Sequence, residues 1–294
     1  MDVRIKEAHQ HLFKSIHTLY ESREAKSITD WVIEDLTGMS RSGMLIHQDD
    51  ELKEDQEKKL HQYTSELLHG RPVQYVLSNA WFMGMPFFVD ERVLIPRPET
   101  EEMVELVKGI YNHSLETKEK LLLADIGTGS GCIAIALKKN YPAFEVWGID
   151  NSEGALEVAT INAKKQNAYL TLEKNNILDN TDDDGLPVFD IIISNPPYIP
   201  LKDKVEMDSV VLDHEPHIAL FVDNEDPLKF YKAILTFSNY HLKRGGMIFF
   251  ETHADFAKDV VCLMEQFDFE NVEIKKDMYG KDRIVFGRKS GASL

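Results

Sequence analysis

The sequence predicts an α/β protein: a mostly parallel, seven-stranded sheet covered by helices on both faces, preceded by a small all-helical region and a β-hairpin connector. Three observations carry this expectation. After Lys120, apolar strand patterns alternate with helical ones, the signature of a parallel sheet. Residues 1 to about 70 contain no alternating run, only apolar residues recurring at helical spacing. Between the two, WFMGMPFFVDERVLIP (81–96) reads as a strand pair around Gly84 and Pro86.

In the front region the helical rows are Leu12, Ile16 and Leu19, then Trp31, Val32 and Leu36, then Leu60, Tyr63, Leu67 and Leu68. Thr29, Asp30 and Ser40 are expected caps, and Gly38, Gly43 and Gly70 expected stops. The charge run ELKEDQEKK (51–59) reads as a solvated helix face. Arg71-Pro72 ends this region, so the expected division is 1–72 helical, 73–97 connector and 98–294 α/β domain. Pro98 opens a helix whose first turn carries Glu99, Glu101 and Glu102, where the dipole favours negative charge. Expected strands follow at 121–126, 146–150, 169–173, 189–194 and 247–251, with helices at 130–140, 152–166, 228–242 and 254–266. Two last strands, 272–276 and 283–287, are joined by a short turn containing Gly280, so one strand is expected to run antiparallel.

Composition excludes several classes. The 294 residues are 43% hydrophobic and 28% charged, enough apolar surface for two packed domains. No apolar run reaches the roughly 18 residues of a membrane span, and MDVRIKEAHQHLFKS lacks a signal-peptide core. Cys132 and Cys262 fit a reducing, cytoplasmic setting and cannot build a disulfide framework. The eleven histidines form neither HExxH nor a Cys/His ligand pair, so no metal is expected. A net charge of −17 argues against a protein that tracks nucleic acid.

LLLADIGTGSGCIAIAL (121–137) is an apolar strand ending in Asp125, a loop of Gly127, Thr128, Gly129, Ser130 and Gly131, then an apolar helix. Glycines there let the backbone turn sharply and approach a ligand closely, as in nucleotide and nucleoside sites. The next strand, VWGID, ends at Asp150, placed to accept both hydroxyls of a ribose, with helix capping left to Ser152. The GxGxG spacing after Asp125 tilts the cofactor from NAD towards a methionine-derived nucleoside.

DIIISNPPYIP (190–200) carries the most chemistry per residue. Pro196 and Pro197 fix φ and remove two backbone donors, leaving an acceptor-rich bend after a buried strand. The Asn195 side-chain oxygen and the Pro196 carbonyl can together accept both N–H bonds of a planar amide or exocyclic amine, and the Tyr198 ring can stack on that group. Such a nitrogen is a poor nucleophile because its lone pair is delocalised. Two acceptors holding its hydrogens favour the attacking form without a strong general base.

DIGTGSG, Asp150 and NPPYIP resemble class I S-adenosylmethionine-dependent methyltransferases that act on amide or amine nitrogen. IPRPETE (95–101) narrows the resemblance to the peptide-chain release factor N5-glutamine methyltransferases, the HemK/PrmC family. It spans nearly the whole chain, including EPHIAL (215–220) and the run Asp277, Gly280, Arg283. The resemblance implies a Rossmann-like class I fold and methylation of the glutamine in the Gly-Gly-Gln loop of release factors. It further implies S-adenosyl-L-methionine held by Gly127 to Gly131, Asp150 and Asn195, and the glutamine amide held by Asn195, Pro196, Pro197 and Tyr198. Near the adenine the family commonly shows an acid and a large apolar residue; here Asn176 and Ile177 stand there. FFETHADF (249–256) keeps the Glu251 of the family pattern but not the Gly and Gln after it.

Other readings stay open. The same chemistry would suit a ribosomal-protein glutamine or a base amine in nucleic acid, and a non-catalytic cofactor-binding adaptor is the alternative of another class. Arg97 has two readings, contact with cofactor or substrate and pairing with a glutamate; His214 and His217 either line the substrate mouth or sit in an ordered loop. Cys132 is expected as buried packing. The helical region is expected to grip the protein substrate, and the chain to be a monomer.

Overall fold

The computed structural model describes residues 3–117, 120–179 and 185–291; the outer ends of the expected 1–72 and 98–294 regions lie outside the described residues. The chain forms two compact units, Met1–Asn79 with Asp208–His214, and Ala80–Met207 with Glu215–Leu294.

The first unit contains α1 (Ile5–Ile16), α2 (Ser22–Thr37), α3 (Arg41–Ile46), α4 (Glu54–Leu68) and α5 (Val73–Val76). Its core holds most of the expected apolar rows, with Leu12, Ile16, Val32 and Leu67 fully buried together, whereas Leu19, Trp31 and Leu68 of those rows are exposed. Three boundary expectations are corrected. Thr29 and Asp30 lie inside α2 and cap nothing: the Thr29 hydroxyl donates to the Ala25 carbonyl one turn back at 2.7 Å, and Asp30 meets His9 at 2.8 Å. Short polar side chains satisfy mid-helix and tertiary partners as readily as helix ends. Gly43 is no stop; it lies within α3, whose cap is Ser40, accepting the Gly43 N–H at 3.3 Å. Gly38 does end α2, in the left-handed conformation that a side chain resists.

The second unit opens with an antiparallel hairpin, β1 (Ala80–Phe82) and β2 (Met85–Phe87), followed by α6 (Pro98–Ile110) and α7 (Asn112–Thr117). Then come β3 (Leu122–Ile126), α8 (Cys132–Asn140), β4 (Glu145–Asp150), α9 (Glu153–Lys165), β5 (Thr171–Lys174) and β6 (Phe189–Ser194). A short parallel pair follows, β7 (Ile199–Pro200) and β8 (Phe221–Val222); between them in sequence, α10 (Ser209–His214) belongs to the first unit and α11 (His217–Leu220) to the second. The chain ends with α12 (Lys229–His241), β9 (Leu242–Glu251), α13 (Ala257–Gln266), β10 (Phe269–Lys276) and β11 (Asp282–Lys289).

The sheet has seven strands in the order β10-β11-β9-β6-β3-β4-β5. β11 is antiparallel to both its neighbours and every other pairing is parallel, so one strand opposes the rest. Period-two alternation sorts the side chains: Leu123, Ile191, Ile193 and Phe249 pack with α6 and α8 on one face, while Ala124, Ile192, Ile248 and Phe250 pack with α12 and α13 on the other. β9 begins at Leu242, five residues before the expected start at 247. Its polar beginning pairs with β6 because Lys243 reaches Asp190 at 2.8 Å and Gly246 leaves room where a Cβ would come within 2.9 Å of the Asp190 carbonyl.

The chain runs outward from β3 through β4 to β5, then returns to β6 on the other side of β3. That reversal opens a crevice at the carboxyl ends of β3, β4 and β6, where α/β sheets take their ligands.

Candidate active site

A cleft of about 1080 Å3, part of it open to solvent, occupies this crevice. Of the residues singled out in the sequence, Gly127, Thr128, Gly129, Ser130, Asp150, Asn176, Ile177, Asn195, Pro196 and Pro197 line it; Gly131 and Tyr198 do not. Arg97 lines it too, as do Val93, Leu94 and Pro96 from the segment read as connector, and Phe230 and Ile234 from α12. The two on α12 carried no local signal, since apolar residues on a helix read as core.

On the β3 side, Gly127, Gly129 and Gly131 have φ of +74°, +53° and +78°, which side chains rarely adopt. A Cβ at Gly127 would meet nothing within 4 Å, so the backbone there faces open space; one at Gly131 would lie 3.2 Å from Ala159, so that glycine serves helix packing instead. Gly148 on β4, not foreseen, leaves room for the loop: its Cβ would stand 3.0 Å from the Thr128 hydroxyl and 2.8 Å from Leu172.

Two buried polar residues fix this loop from behind. Asp125 Oδ2 accepts the Thr128 hydroxyl at 2.7 Å and the Ala134 N–H at 3.2 Å, capping α8 where Gly131 has no side chain to do so. Its other oxygen, Oδ1, is buried and has no partner among the described residues. Burial pushes the Asp125 carboxyl up to about 7. Asn162, fully buried on α9 and not foreseen, accepts the Phe88 N–H at 2.6 Å and donates to the Phe88 and Ser130 carbonyls, both at 2.9 Å.

Asp150 stands at the end of β4 with each carboxylate oxygen holding one backbone N–H: Oδ2 that of Gly129 and Oδ1 that of Ser152, both at 2.9 Å. Each oxygen keeps acceptor capacity for one more donor. Burial raises the carboxyl above its usual range against those hydrogen bonds. Capping of α9 falls to Ser152, as expected, its Oγ accepting the Ala155 N–H at 3.2 Å. Past β5, Ile177 presents a buried apolar wall, whereas the Asn176 carboxamide is turned into its own short turn, bonding Asp179 at 2.7 Å and the Leu178 N–H at 3.2 Å.

On the β6 side, Asn195 Nδ2 donates to the Thr100 hydroxyl at 3.2 Å. The opposite corner of that carboxamide, Oδ1, has no donor among the described residues. Tyr198 stands outside the cleft lining: its hydroxyl donates to Glu251 Oε1 at 3.1 Å and its ring is partly buried against the α12 side of the sheet. The pull of Glu251, 53 residues away, could not be read from local spacing. Arg97 takes its glutamate reading through an unexpected partner, Glu215 of EPHIAL, at 2.5 Å; Glu215 also accepts the Ile95 N–H at 3.2 Å. His214 and His217 do not line the cleft. Cys132 is buried in the core as expected and also borders the cleft; burial pushes the thiol up to about 12. Among the described residues no group of His, Cys, Asp and Glu is arranged to hold a metal, and no helix is long and apolar enough to cross a membrane.

Two family models match the chain: PrmC N-terminal domain over residues 10–77 and Methyltransferase small domain over 109–212. A release factor glutamine methyltransferase of Flavobacterium psychrophilum is 37% identical over 282 residues, covering 96% of this chain and 98% of that protein. Those of Bacteroides thetaiotaomicron and Streptococcus pneumoniae are 36% and 39% identical, covering 92% and 90% of this chain and 95% and 92% of their own. Among solved structures, a methyltransferase from Pyrococcus furiosus aligns with a TM-score of 0.50 at 17% identity, over 78% of this chain and 98% of its own, a likeness of fold.

Proposed function

The chain belongs to the release factor glutamine methyltransferase family, and from that premise we propose that its cleft methylates the side-chain nitrogen (N5) of the glutamine in a release factor's Gly-Gly-Gln loop, using S-adenosyl-L-methionine. The observation that carries the reading is Asn195, a cleft-lining carboxamide whose Nδ2 is anchored on the Thr100 hydroxyl, so that its oxygen is the end left to accept from a ligand.

The β3 and β4 side of the cleft fits the cofactor in kind. The glycine loop leaves bare backbone at Gly127 and Gly129, Asp150 keeps acceptor capacity for a ribose diol, and Ile177 with Phe230 offers apolar surface to a flat base. When bound, the cofactor supplies a methyl group on a positively charged sulfur.

Asn195 Oδ1 and the Pro196 carbonyl accept the two N–H bonds of the glutamine amide and turn its nitrogen towards the transferring carbon. As that nitrogen gains its fourth bond, positive charge grows on the same hydrogens, so both acceptors bind more tightly then than in the ground state. One N–H proton is then released to water, and no side-chain base is needed. The Arg97–Glu215 pair ties IPRPETE to the segment before β8 and holds the mouth in shape. The first unit is the part proposed to grip the release factor in the cytoplasm, and the net charge of −17 argues against nucleic acid as the substrate.

Purified protein mixed with methyl-labelled cofactor and, in turn, a release factor, a ribosomal protein and duplex DNA tests this. Label confined by peptide mass analysis to the Gly-Gly-Gln glutamine is expected. Label on another acceptor, or none on a release factor while cofactor binds, overturns it.

A further inference from the structure

A carboxamide can point either end at a neighbour, and which end Asn195 shows the cleft depends on what Thr100 offers it. Thr100, on the first turn of α6 and 2% exposed, has one hydroxyl proton. That proton goes to Glu251 Oε2 at 2.7 Å, at the far end of β9 and 151 residues away. The Thr100 oxygen therefore has only lone pairs left for Asn195, and accepts Nδ2 at 3.2 Å. The second Glu251 oxygen takes the Tyr198 hydroxyl at 3.1 Å, so both of its donors are fixed in direction.

We infer that Thr100 and Glu251 are positioning residues: the buried Glu251 carboxylate sets the direction of the Thr100 hydroxyl, which in turn keeps Asn195 with its oxygen towards the substrate amide. This rests on the reading of Asn195 given above. A proton on Glu251 reverses the chain. The acid's O–H then donates to Thr100, the Thr100 proton turns to Asn195, and the carboxamide is drawn round to present N–H to the cleft, where it opposes the N–H of the substrate. Groups facing Glu251 from every packed element bear on that proton. Thr100 and Glu99 approach from α6, Tyr198 from the bend after β6, and Arg283 from β11, while the Tyr231 hydroxyl on α12 donates to the Glu251 main-chain carbonyl at 3.0 Å. Burial raises the Glu251 carboxyl, with the Thr100 and Tyr198 hydrogen bonds and Arg283 opposing and Glu99 adding to the rise.

The test compares Thr100→Val, Thr100→Ser, Glu251→Gln and Asn195→Ala in the full-length protein. It reads kcat against pH at saturating cofactor and release factor, cofactor Kd by calorimetry, and thermal unfolding as the folding control. Thr100→Val and Glu251→Gln are expected to lower kcat roughly tenfold to a hundredfold, the scale of a misoriented reacting group, with cofactor Kd held within about twofold. Thr100→Ser restores most of the loss. The wild-type kcat falls as pH drops and Glu251 takes up its proton; this acid limb persists in Thr100→Ser and is absent from Thr100→Val and Glu251→Gln. Thr100→Val with wild-type kcat and an intact acid limb overturns the inference. If Thr100→Val does not fold, the near-isosteric Glu251→Gln decides alike: kcat and acid limb both kept overturn it, both lost support it. Asn195→Ala separates the two levels. Impairment there with none in the other variants defeats this inference alone, whereas full turnover in Asn195→Ala defeats the reading of Asn195 itself.

Discussion

The loop after β3 and the bend after β6 face one cleft but are held in different ways. The loop presents backbone: three glycines at positive φ, its N–H and C=O groups held from behind by the Asp150 and Asn162 side chains. The bend has prolines where donors would be, and its working carboxamide is steered through side chains on α6 and β9. Main-chain shape suits a ligand that must fit the same way every time, whereas a relay of hydroxyl and carboxylate can set which end of an amide is shown. The difference teaches that binding and turnover should fail separately here.

The largest expected effect tests that separation directly. Asn195→Ala should lower kcat by roughly 10²–10³-fold, the scale of losing one transition-state partner, with little change in cofactor Kd. Asp150→Ala should do the reverse, weakening cofactor binding by roughly tenfold to a hundredfold through loss of a charged acceptor while kcat at saturation stays closer to wild type. Steady-state kinetics and calorimetry on both variants check this; equal cofactor defects would erase the division.

Asn162→Ala sharpens the comparison on the loop side. It leaves the Phe88 N–H and the Ser130 carbonyl without partners in a buried site, which should cost about 2–4 kcal/mol in urea unfolding. Cofactor affinity should fall with it, since Ser130 lines the cleft.

The last effect, read as a slope against pH, concerns Asp125. Its folded-state carboxyl is raised to about 7, so between roughly pH 4 and 7 the folded protein holds a proton that the unfolded chain has released. The stabilising contribution is therefore complete below about pH 4 and is lost as pH rises through 7, with a slope no steeper than about 1.4 kcal/mol per pH unit. Asp125→Asn should flatten that slope in urea titrations of the cofactor-free protein, and an unchanged slope would contradict the assignment.

How much of this was legible follows from how far each feature reaches along the chain. The apolar strand at 189–194 and the turn at Gly280 are local and legible, as is the expectation that one of the last two strands runs antiparallel, though not that it is β11. The glycine loop and NPPY were equally plain because each is contiguous. What pairs with them was not. Asn162 reaches Phe88 across 74 positions, Glu251 reaches Thr100 across 151, and Glu215 reaches Arg97 across 118. Tyr198 was assigned to the ligand because a ring beside an amide site invites stacking, and only the fold brings Glu251 to its hydroxyl. Asp30 was read as a cap for the same reason, its partner His9 being on another helix.

The consecutive prolines at the mouth have one more consequence. They follow β6, a strand already flanked on both sides by β9 and β3. With no N–H of their own, Pro196 and Pro197 present only carbonyl oxygens at that spot, so a visitor there is greeted by main-chain acceptors.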